Sequence, residues 1–364
     1  MALMTVLGMM SGTSMDGVDA AVLTTDGQSI GGFGPHEFRP YSEPERAILR
    51  AALVEAKALT DRTARPGALA EAERIVTAAH AEVAERLLRE NPGIRLDLIG
   101  FHGQTVFHAP ERQLTVQIGD GPALARRLNV PVVYDLRAAD VAAGGEGAPL
   151  VPVYHRALFL RTRLSGSAAI INIGGVANIT RIGSDGSLLA GDTGPGNALI
   201  DDLVRTRTGA VMDEGGALAA RGRVDEAALG ALLDNPWFDR LLPKSLDRNA
   251  FSSAAVAGLS LEDAAATLAA FTSRTIVKGI VMAGGADRIV VAGGGARNPF
   301  LLRRLEIDAG LPVSSAAALG WSPDFIEAEA FAFLAARSLR GLPLTFPGTT
   351  GVAAPTTGGV IAQP

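Results

Sequence analysis

One device occurs twice in this chain, and that repetition restricts the fold more than any other feature. In the second half, AAIINIGG (168–175) is a β-branched run ending in two glycines. A short strand over 176–182 returns from that turn, Ser184-Asp185-Gly186 reverses the chain, and 188–190 reads as a third strand. That strand delivers Asp192 into GDTGPGN (191–197), a loop whose glycines let backbone amides approach a ligand closely. Asn197 or Gly196 then caps a helix over 198–206, whose positive end faces the loop. The N-terminus repeats the order. Residues 4–9 are apolar, Ser11-Gly12-Thr13-Ser14-Met15-Asp16-Gly17 is a polar glycine turn, and a returning strand over 18–24 closes at Asp26-Gly27. The interval between the two copies is far longer than a solenoid repeat, so the expectation is an α/β protein of two duplicated domains. Facing hairpins tipped with amides and hydroxyls suit a polyphosphate. Taken alone, an Asp-Thr-Gly is equally a strand-to-helix turn with a capping aspartate.

Length agrees with two domains, since 364 residues exceed the roughly 250–300 at which single cores stop growing. A 48% hydrophobic content supplies both cores, and with only 5% aromatics and 43 glycines the packing falls to aliphatic side chains and close backbone approach. The net charge of -5 with no basic block argues against a nucleic-acid partner. No apolar run reaches the roughly 18 residues of a membrane span, and no basic segment precedes the first apolar run, so a cytoplasmic protein is expected. The absence of cysteine excludes disulfides, thiol catalysis and thiolate metal sites.

Along the chain, a third strand is expected near 32–38 and helices over 44–59 and 65–90, the latter stopped by Asn91-Pro92-Gly93. A buried strand over 97–101 delivers His102, Gln104, Thr105 and His108, and strands at 114–118 and 130–134 flank a helix that ends at Leu128. The second of these strands leads to Asp135, Arg137 and Asp140. AAGGEGAPLV (142–151) is the expected hinge or cleft floor, followed by a helix over 152–164. Further helices are expected at 225–233 and at 261–281, where Ser260 and Asp263 make a capping-box-like start. Between them, 236–251 is a polar excursion carrying aromatics. The expected domains are 1–138 and 139–344, with the tail 345–364 packing back on the first.

Several chemistries can be tested directly. His102 and His108, six positions apart with no cysteine and only five histidines in the chain, lack a zinc ligand set. A polar rim for a sugar built from His102, Gln104 and Thr105 fits better, alongside a simple loop-closing role. ADRIVVAGGG (286–295) is a buried strand running into glycines, a nucleotide signal, but Asn298 stands where a Rossmann fingerprint needs its last glycine. The lysines are Lys57, Lys244 and Lys278, none after a glycine, so there is no P-loop, and the protein-kinase motifs are absent. Trp321-Ser322-Pro323-Asp324 leads into a helix over 326–339 with Glu327 and Glu329 in its first turn, where carboxylates also simply favour the helix dipole.

Together GMMSGTSMDGVDAAV (8–22), GFHGQTVFHAP (100–110), GGEGAPLVP (144–152), NIGGVANIT (172–180), GDTGPGNALID (191–201) and VVAGGGARNPFL (290–301) resemble the anhydro-N-acetylmuramic acid kinase family, nearly end to end. The resemblance implies two actin-like, ribonuclease-H-like domains with mixed sheets flanked by helices and an ATP cleft between them. It implies Asp192 as the catalytic residue and ATP binding by Gly12, Thr13, Ser14, Met15, Asp16, Gly17, Val18 and Asp19. Gly194, Gly196 and Asn197 match its second phosphate segment, and Gly293, Gly294, Gly295 and Asn298 its adenosine segment. Glu327 matches a carboxylate near the sugar, to which Gln104, Thr105, Arg137 and Asp140 are added.

The implied activity opens the 1,6-anhydro ring of 1,6-anhydro-N-acetylmuramic acid with water and phosphorylates its 6-oxygen, in cell-wall recycling. Asp192 would hold the water, and Mg²⁺ would ride on the ATP phosphates with no protein ligand assigned. The resemblance also implies a homodimer in the cytoplasm. The alternatives are another sugar kinase of the same fold, in which Asp192 deprotonates an ordinary hydroxyl, and a nucleotide-switched binding ATPase.

Overall fold

The computed structural model describes residues 2–12, 14–246 and 250–364. The chain forms two compact units, Met1–Arg161 with Asp324–Pro364, and Thr162–Pro323. The chain thus passes to the second unit later than the expected break after 138 and returns to the first earlier than the expected 344.

The first unit opens with an antiparallel meander of β1 (Met4–Ser11), β2 (Gly17–Thr25) and β3 (Ile30–Pro40). Two helices follow, α1 (Glu43–Ala56) and α2 (Ala68–Glu90). Ser42 and Glu45 close a reciprocal capping box at the start of α1, which fixes where that helix begins. The chain then enters β4 (Leu98–Ala109), parallel to β1, and turns back through β5 (Leu114–Ile118) antiparallel to it. After α3 (Gly121–Leu128), β6 (Val132–Tyr134) lies parallel to β4, and α4 (Ala138–Ala142) and α5 (Pro152–Arg161) complete this part. The expected strand at 97–101 is therefore much longer, because β5 supplies a hydrogen-bonding partner for the whole segment carrying Gln104, Thr105 and His108.

Strand periodicity builds the core. In β1, Leu7 and Met9 point to one face and join Ile99 and Phe101 of β4 against Leu49, Leu69, Ala72, Val76 and Leu87 of α1 and α2, all buried. Val6 and Gly8 alternate with them on the opposite face.

In the second unit, β7 (Ala168–Ile173), β8 (Val176–Ile182) and β9 (Leu188–Pro195) form the same antiparallel meander. Helices α6 (Ala198–Thr208), α7 (Glu226–Leu233) and α8 (Leu261–Met282) precede β10 (Ile289–Ala292), which lies parallel to β7. Helix α9 (Pro299–Ala309) then leads to β11 (Val313–Ser315), parallel to β10. The strand orders, β3-β2-β1-β4-β6 and β9-β8-β7-β10-β11, are the same pattern. Both units thus share a mixed five-strand order, three antiparallel strands and then two parallel ones with covering helices, the ribonuclease-H-like arrangement of a duplicated α/β protein, and the first sheet carries two strands more. Ile171 and Ile173 of β7 with Leu203, Phe271, Leu301 and Leu305 make a second, separate core.

The chain re-enters the first unit as α10 (Ile326–Leu339), which packs on β1, β2 and β4. Helix α11 (Pro347–Thr350) follows, and β12 (Val360–Ala362) pairs antiparallel with β6 at the sheet edge. Gly8 and Gly100 are paired across β1 and β4. A Cβ on Gly8 would overlap the backbone at Ala328 and Ala332, and one on Gly100 the carbonyl of Phe331. Two bare backbones side by side are what lets α10 lie directly on the sheet and brings Glu327 in its first turn to the end of β1. Among the described residues no helix is long and apolar enough to cross a membrane.

Candidate active site

In the first unit, a cavity of about 450 Å³ is lined by Met10, Ser11, Gly12, Ser14, His102, Thr105, His108, Arg137, Ala148 and Glu327. Sequence positions from five separate segments meet there. The turn after β1 is tied from beneath. Buried Ser11 donates through Oγ to Gln104 Oε1 at 2.5 Å, and Gln104 Nε2 donates to the Gly12 carbonyl at 3.1 Å. Because the Ser11 proton goes to Gln104, the Tyr41 hydroxyl is the donor in its 3.2 Å bond to Ser11 Oγ. Gln104 is thus spent on shaping the hairpin and is not among the residues that line the cavity. Met15 turns the chain at φ 52, its amide bonded to the Gly12 carbonyl at 3.1 Å, and Ser14 Oγ donates to Asp16 at 2.8 Å. Thr13 lies outside the described residues. Gly17 begins β2, Val18 is wholly buried in the core, and Asp19 is paired with Met10 across the strands.

Arg137 precedes α4. Its Nε and Nη2 reach His102 Nε2 at 3.3 and 3.2 Å, and its Nη1 donates to the Gly147 carbonyl at 2.9 Å. A guanidinium only donates, so Nε2 of His102 carries the lone pair and the ring proton sits on Nδ1. Burial and the nearby cation hold His102 well below its ordinary pKa, so it is neutral. His108 bridges Thr115 Oγ1 (2.9 Å) and the Glu146 carbonyl (2.8 Å). Asp140 accepts from the Gly147 amide at 2.7 Å and from Thr350 Oγ1 at 2.6 Å. Both its oxygens are therefore engaged in pinning the glycine-rich loop and α11, and Asp140 does not line the cavity. The segment 142–151, expected as hinge or cleft floor, is a loop tied by these bonds that presents Ala148 to the cavity.

Glu327 is the carboxylate that lines the cavity, and Asp19, which does not line it, feels its charge. Glu327 is reachable by solvent, yet protein surrounds it densely enough that desolvation raises its pKa, opposed by Arg137. Asp19 is raised to about 7, first by burial and then by Asp16, Glu327 and Asp324. Carboxylates crowded in this way resist ionising together, which leaves a proton-holding group near neutrality.

In the second unit, Asp192 lies within β9, which runs past the expected end at 190 and carries the whole Asp-Thr-Gly. Its Oδ2 accepts from the Leu246 amide at 2.7 Å, and its own amide donates to the Lys244 carbonyl at 2.8 Å. Burial raises its pKa to about 6, against the lowering by the Leu246 amide and Lys244. The loop that follows is stitched to the turn after β7, with Gly196 and Asn197 amides bonded to the Gly175 and Gly174 carbonyls at 2.9 and 2.7 Å. The Thr272 hydroxyl donates to the Gly196 carbonyl at 2.9 Å, and Gly194 packs against Thr275. Asn197 sits at the N-cap of α6 but makes no capping bond; its Nδ2 turns back to the Ile173 carbonyl at 3.4 Å.

Gly293 has φ +73, and a Cβ there would overlap the Asn172 side chain, so the turn out of β10 requires glycine. Gly295 packs on Ile173, and Asn298 caps α9 through the Leu301 amide at 3.0 Å. Gly294, Asn298 and Asn197 line a cavity of about 280 Å³ together with Ile200, Asp201, Arg297 and the segment Met212, Asp213, Glu214 and Gly215. That segment carried no motif in the sequence. Its signal is the glycine pair Gly215-Gly216 at φ 60 and 73, with buried Asp213 accepting from the Leu218 and Ala219 amides at 2.7 and 3.0 Å. Met10, Ser11, His108 and Ala148 line the first cavity too; each stands in a quoted motif, yet none was assigned to the site from sequence.

The sequence model of one family, described as anhydro-N-acetylmuramic acid kinase, matches residues 4–364. A protein of that name from Methylobacterium nodulans is 54% identical over 375 residues, covering 99% of this chain and 100% of its own. Another from Rhodopseudomonas palustris strain BisB18 is 56% identical over 366 residues, covering 99% and 100%. Among solved structures, component A of the Acidaminococcus fermentans (R)-2-hydroxyglutaryl-CoA dehydratase matches over 93% of this chain and 99% of its own at TM-score 0.47 and 13% identity, too distant to carry a residue's role. On the family match along nearly its whole length and on identity above half to full-length relatives, the chain belongs to the anhydro-N-acetylmuramic acid kinase family.

Proposed function

We propose that this protein is an ATP-dependent kinase that opens the anhydro ring of 1,6-anhydro-N-acetylmuramic acid with water and phosphorylates the freed 6-oxygen. The observation that carries the reading is Asp192, a carboxylate fixed in a strand by backbone bonds and held by burial at a pKa of about 6. A base of that strength is ionised at neutral pH and still accepts a proton. In the reaction, Asp192 takes a proton from water as the water oxygen bonds to the anomeric carbon. The bond from that carbon to the 6-oxygen breaks, and the 6-oxygen takes the γ-phosphoryl group from ATP, releasing ADP.

The sugar is assigned to the 450 Å³ cavity, with Thr105, Arg137 and Glu327 as its polar contacts and Gln104 and Asp140 as the residues that hold the walls. ATP is assigned to Gly12 through Asp19, Gly194, Gly196 and Asn197 for its phosphates, and to Gly293, Gly294, Gly295 and Asn298 for its nucleoside. The amides of Met15, Gly196, Asn197 and Asn298 are already bonded within their turns, so in this reading the phosphates take the other amides of these glycine turns, in place of the scarce lysines. Among the described residues no group of three or more His, Asp or Glu is placed to hold a metal, so Mg²⁺ in this reading arrives on the ATP phosphates and neutralises their charge. Two copies acting together in the cytoplasm complete the assignment.

ATP turnover measured against a panel of sugars tests it. Turnover dependent on the anhydro sugar, with one phosphate transferred and the ring opened, is the expected result. Preference for a sugar with a free 6-hydroxyl would favour an ordinary sugar kinase, and turnover indifferent to every sugar would favour a nucleotide switch.

A further inference from the structure

The segment 236–246 holds Asp192 at both ends of the residue, by the Lys244 carbonyl on its amide and the Leu246 amide on its carboxylate. What holds the segment is the Lys244 side chain. It is buried, its Nζ donates to the Trp237 and Phe238 carbonyls at 3.2 and 3.3 Å, and it lies over the Trp237 ring 4.1 Å from the centroid. No carboxylate is within ion-pair distance of it among the described ion pairs, while the neighbouring Lys278 is taken by Asp239 at 2.7 Å. Leu242 and the Lys244 backbone also crowd Gly191 next to Asp192.

We propose that Lys244 is a positioning residue for the reaction, tying the 236–246 strap to itself so that the strap orients Asp192, and lending the site an uncompensated positive charge that keeps Asp192 ionised. The inference rests on Asp192 as the base. Lys244 acts through Asp192 and touches no substrate. The groups facing the pair are Lys278, Arg240 and Asp239 around Lys244, and the Leu246 amide on Asp192. Burial together with Lys278 and Arg240 lowers Lys244 to about 8, so it remains largely charged at the pH where Asp192 ionises.

The test compares Lys244→Met, Lys244→Gln and Lys244→Arg by steady-state kinetics from acid to neutral pH. Met keeps the length over Trp237, Gln keeps donors for the two carbonyls, and both remove the charge. In both, the acid limb of kcat should move up by about one pH unit, so that kcat falls roughly twofold at about pH 7 and about tenfold below the limb, while KM for ATP and for the sugar stays within about threefold. Lys244→Arg should return the limb to its wild-type place. A limb that stays put in both neutral variants overturns the proposal even if kcat falls, since a merely structural strap would lower activity without moving the titration. Asp192→Asn run in parallel separates the two readings. Near-wild-type activity there removes Asp192 as the base, whereas an inactive Asp192→Asn with an unmoved limb in the Lys244 variants removes only Lys244.

Discussion

Gly8 of β1 and Gly100 of β4 are paired neighbours, and the backbone of α10 fills the space that both of their side chains would need. The contact sets how far Glu327 reaches over the end of the sheet. Gly100→Ala must push the helix from the Phe331 carbonyl, an overpacking that costs about 1–3 kcal/mol. A lowered urea midpoint with an accompanying rise in the sugar's KM is expected. Stability unchanged within roughly 0.5 kcal/mol would mean that the helix is not seated on these glycines.

A second consequence concerns Tyr154 and Glu329, which share a buried 2.6 Å hydrogen bond between α5 and α10. Burial raises Glu329 from its ordinary 4.5 to about 7. The folded protein therefore binds this proton more tightly than the unfolded chain. Its contribution to stability is full below pH 4.5 and is lost as pH rises through about 7. Urea unfolding across that window should show stability falling with pH, and less steeply in Glu329→Gln. Asp19, Asp192 and Glu327 lean the same way, so the slope shrinks without vanishing. An identical slope in the variant would contradict the assignment.

Glu327 should act on the sugar and not on the nucleotide. Replacing it by Gln or Ala removes a charged hydrogen-bonding group worth about 1.5–3 kcal/mol, so the sugar's KM should rise about 10- to 100-fold with that of ATP nearly unchanged. Equal rises in both constants, or none, would place the sugar elsewhere.

The acid side of the pH profile follows from Asp192. As a base with a pKa raised to about 6, it must be ionised to act, so kcat should climb through about pH 6 and level above it. A limb near the ordinary 3.8 of an aspartate would mean that another group governs the rate.

Much of this was legible in the residues themselves. The repeated strand, glycine turn and strand announced the two meanders, because β-branched runs bounded by Gly and Asp leave few other local structures. The tail was expected to pack back on the first domain, and β12 pairs with β6 there, whereas the seat of α10 was beyond local pattern, since Gly8 and Gly100 reveal their purpose only when a helix distant in sequence covers them. For the site, Asp192, Arg137, Thr105 and Glu327 stand at cavities or strand positions that chemistry can use. Gln104 and Asp140 carry the same kind of side chain, yet their hydrogen bonds turn inward to Ser11, Gly12, Gly147 and Thr350. Residue type announces donors and acceptors, but only three-dimensional partners say whether they are already spent. The segment at 212–215 and the strap at 236–246 escaped for a related reason: they contribute backbone geometry, which leaves little mark on composition.

The most direct measurement is the turnover of Asp192→Asn with the anhydro sugar and ATP, alongside calorimetric binding of each ligand. Asn keeps the size and an acceptor for the Leu246 amide but loses the basic oxygen. The account predicts a fall in kcat of about 10²- to 10⁴-fold in a protein that is folded and binds both ligands. Asparagine and aspartate are comparable as caps, so turnover within a few-fold of wild type would reduce Asp192 to a turn residue and contradict its role as the base.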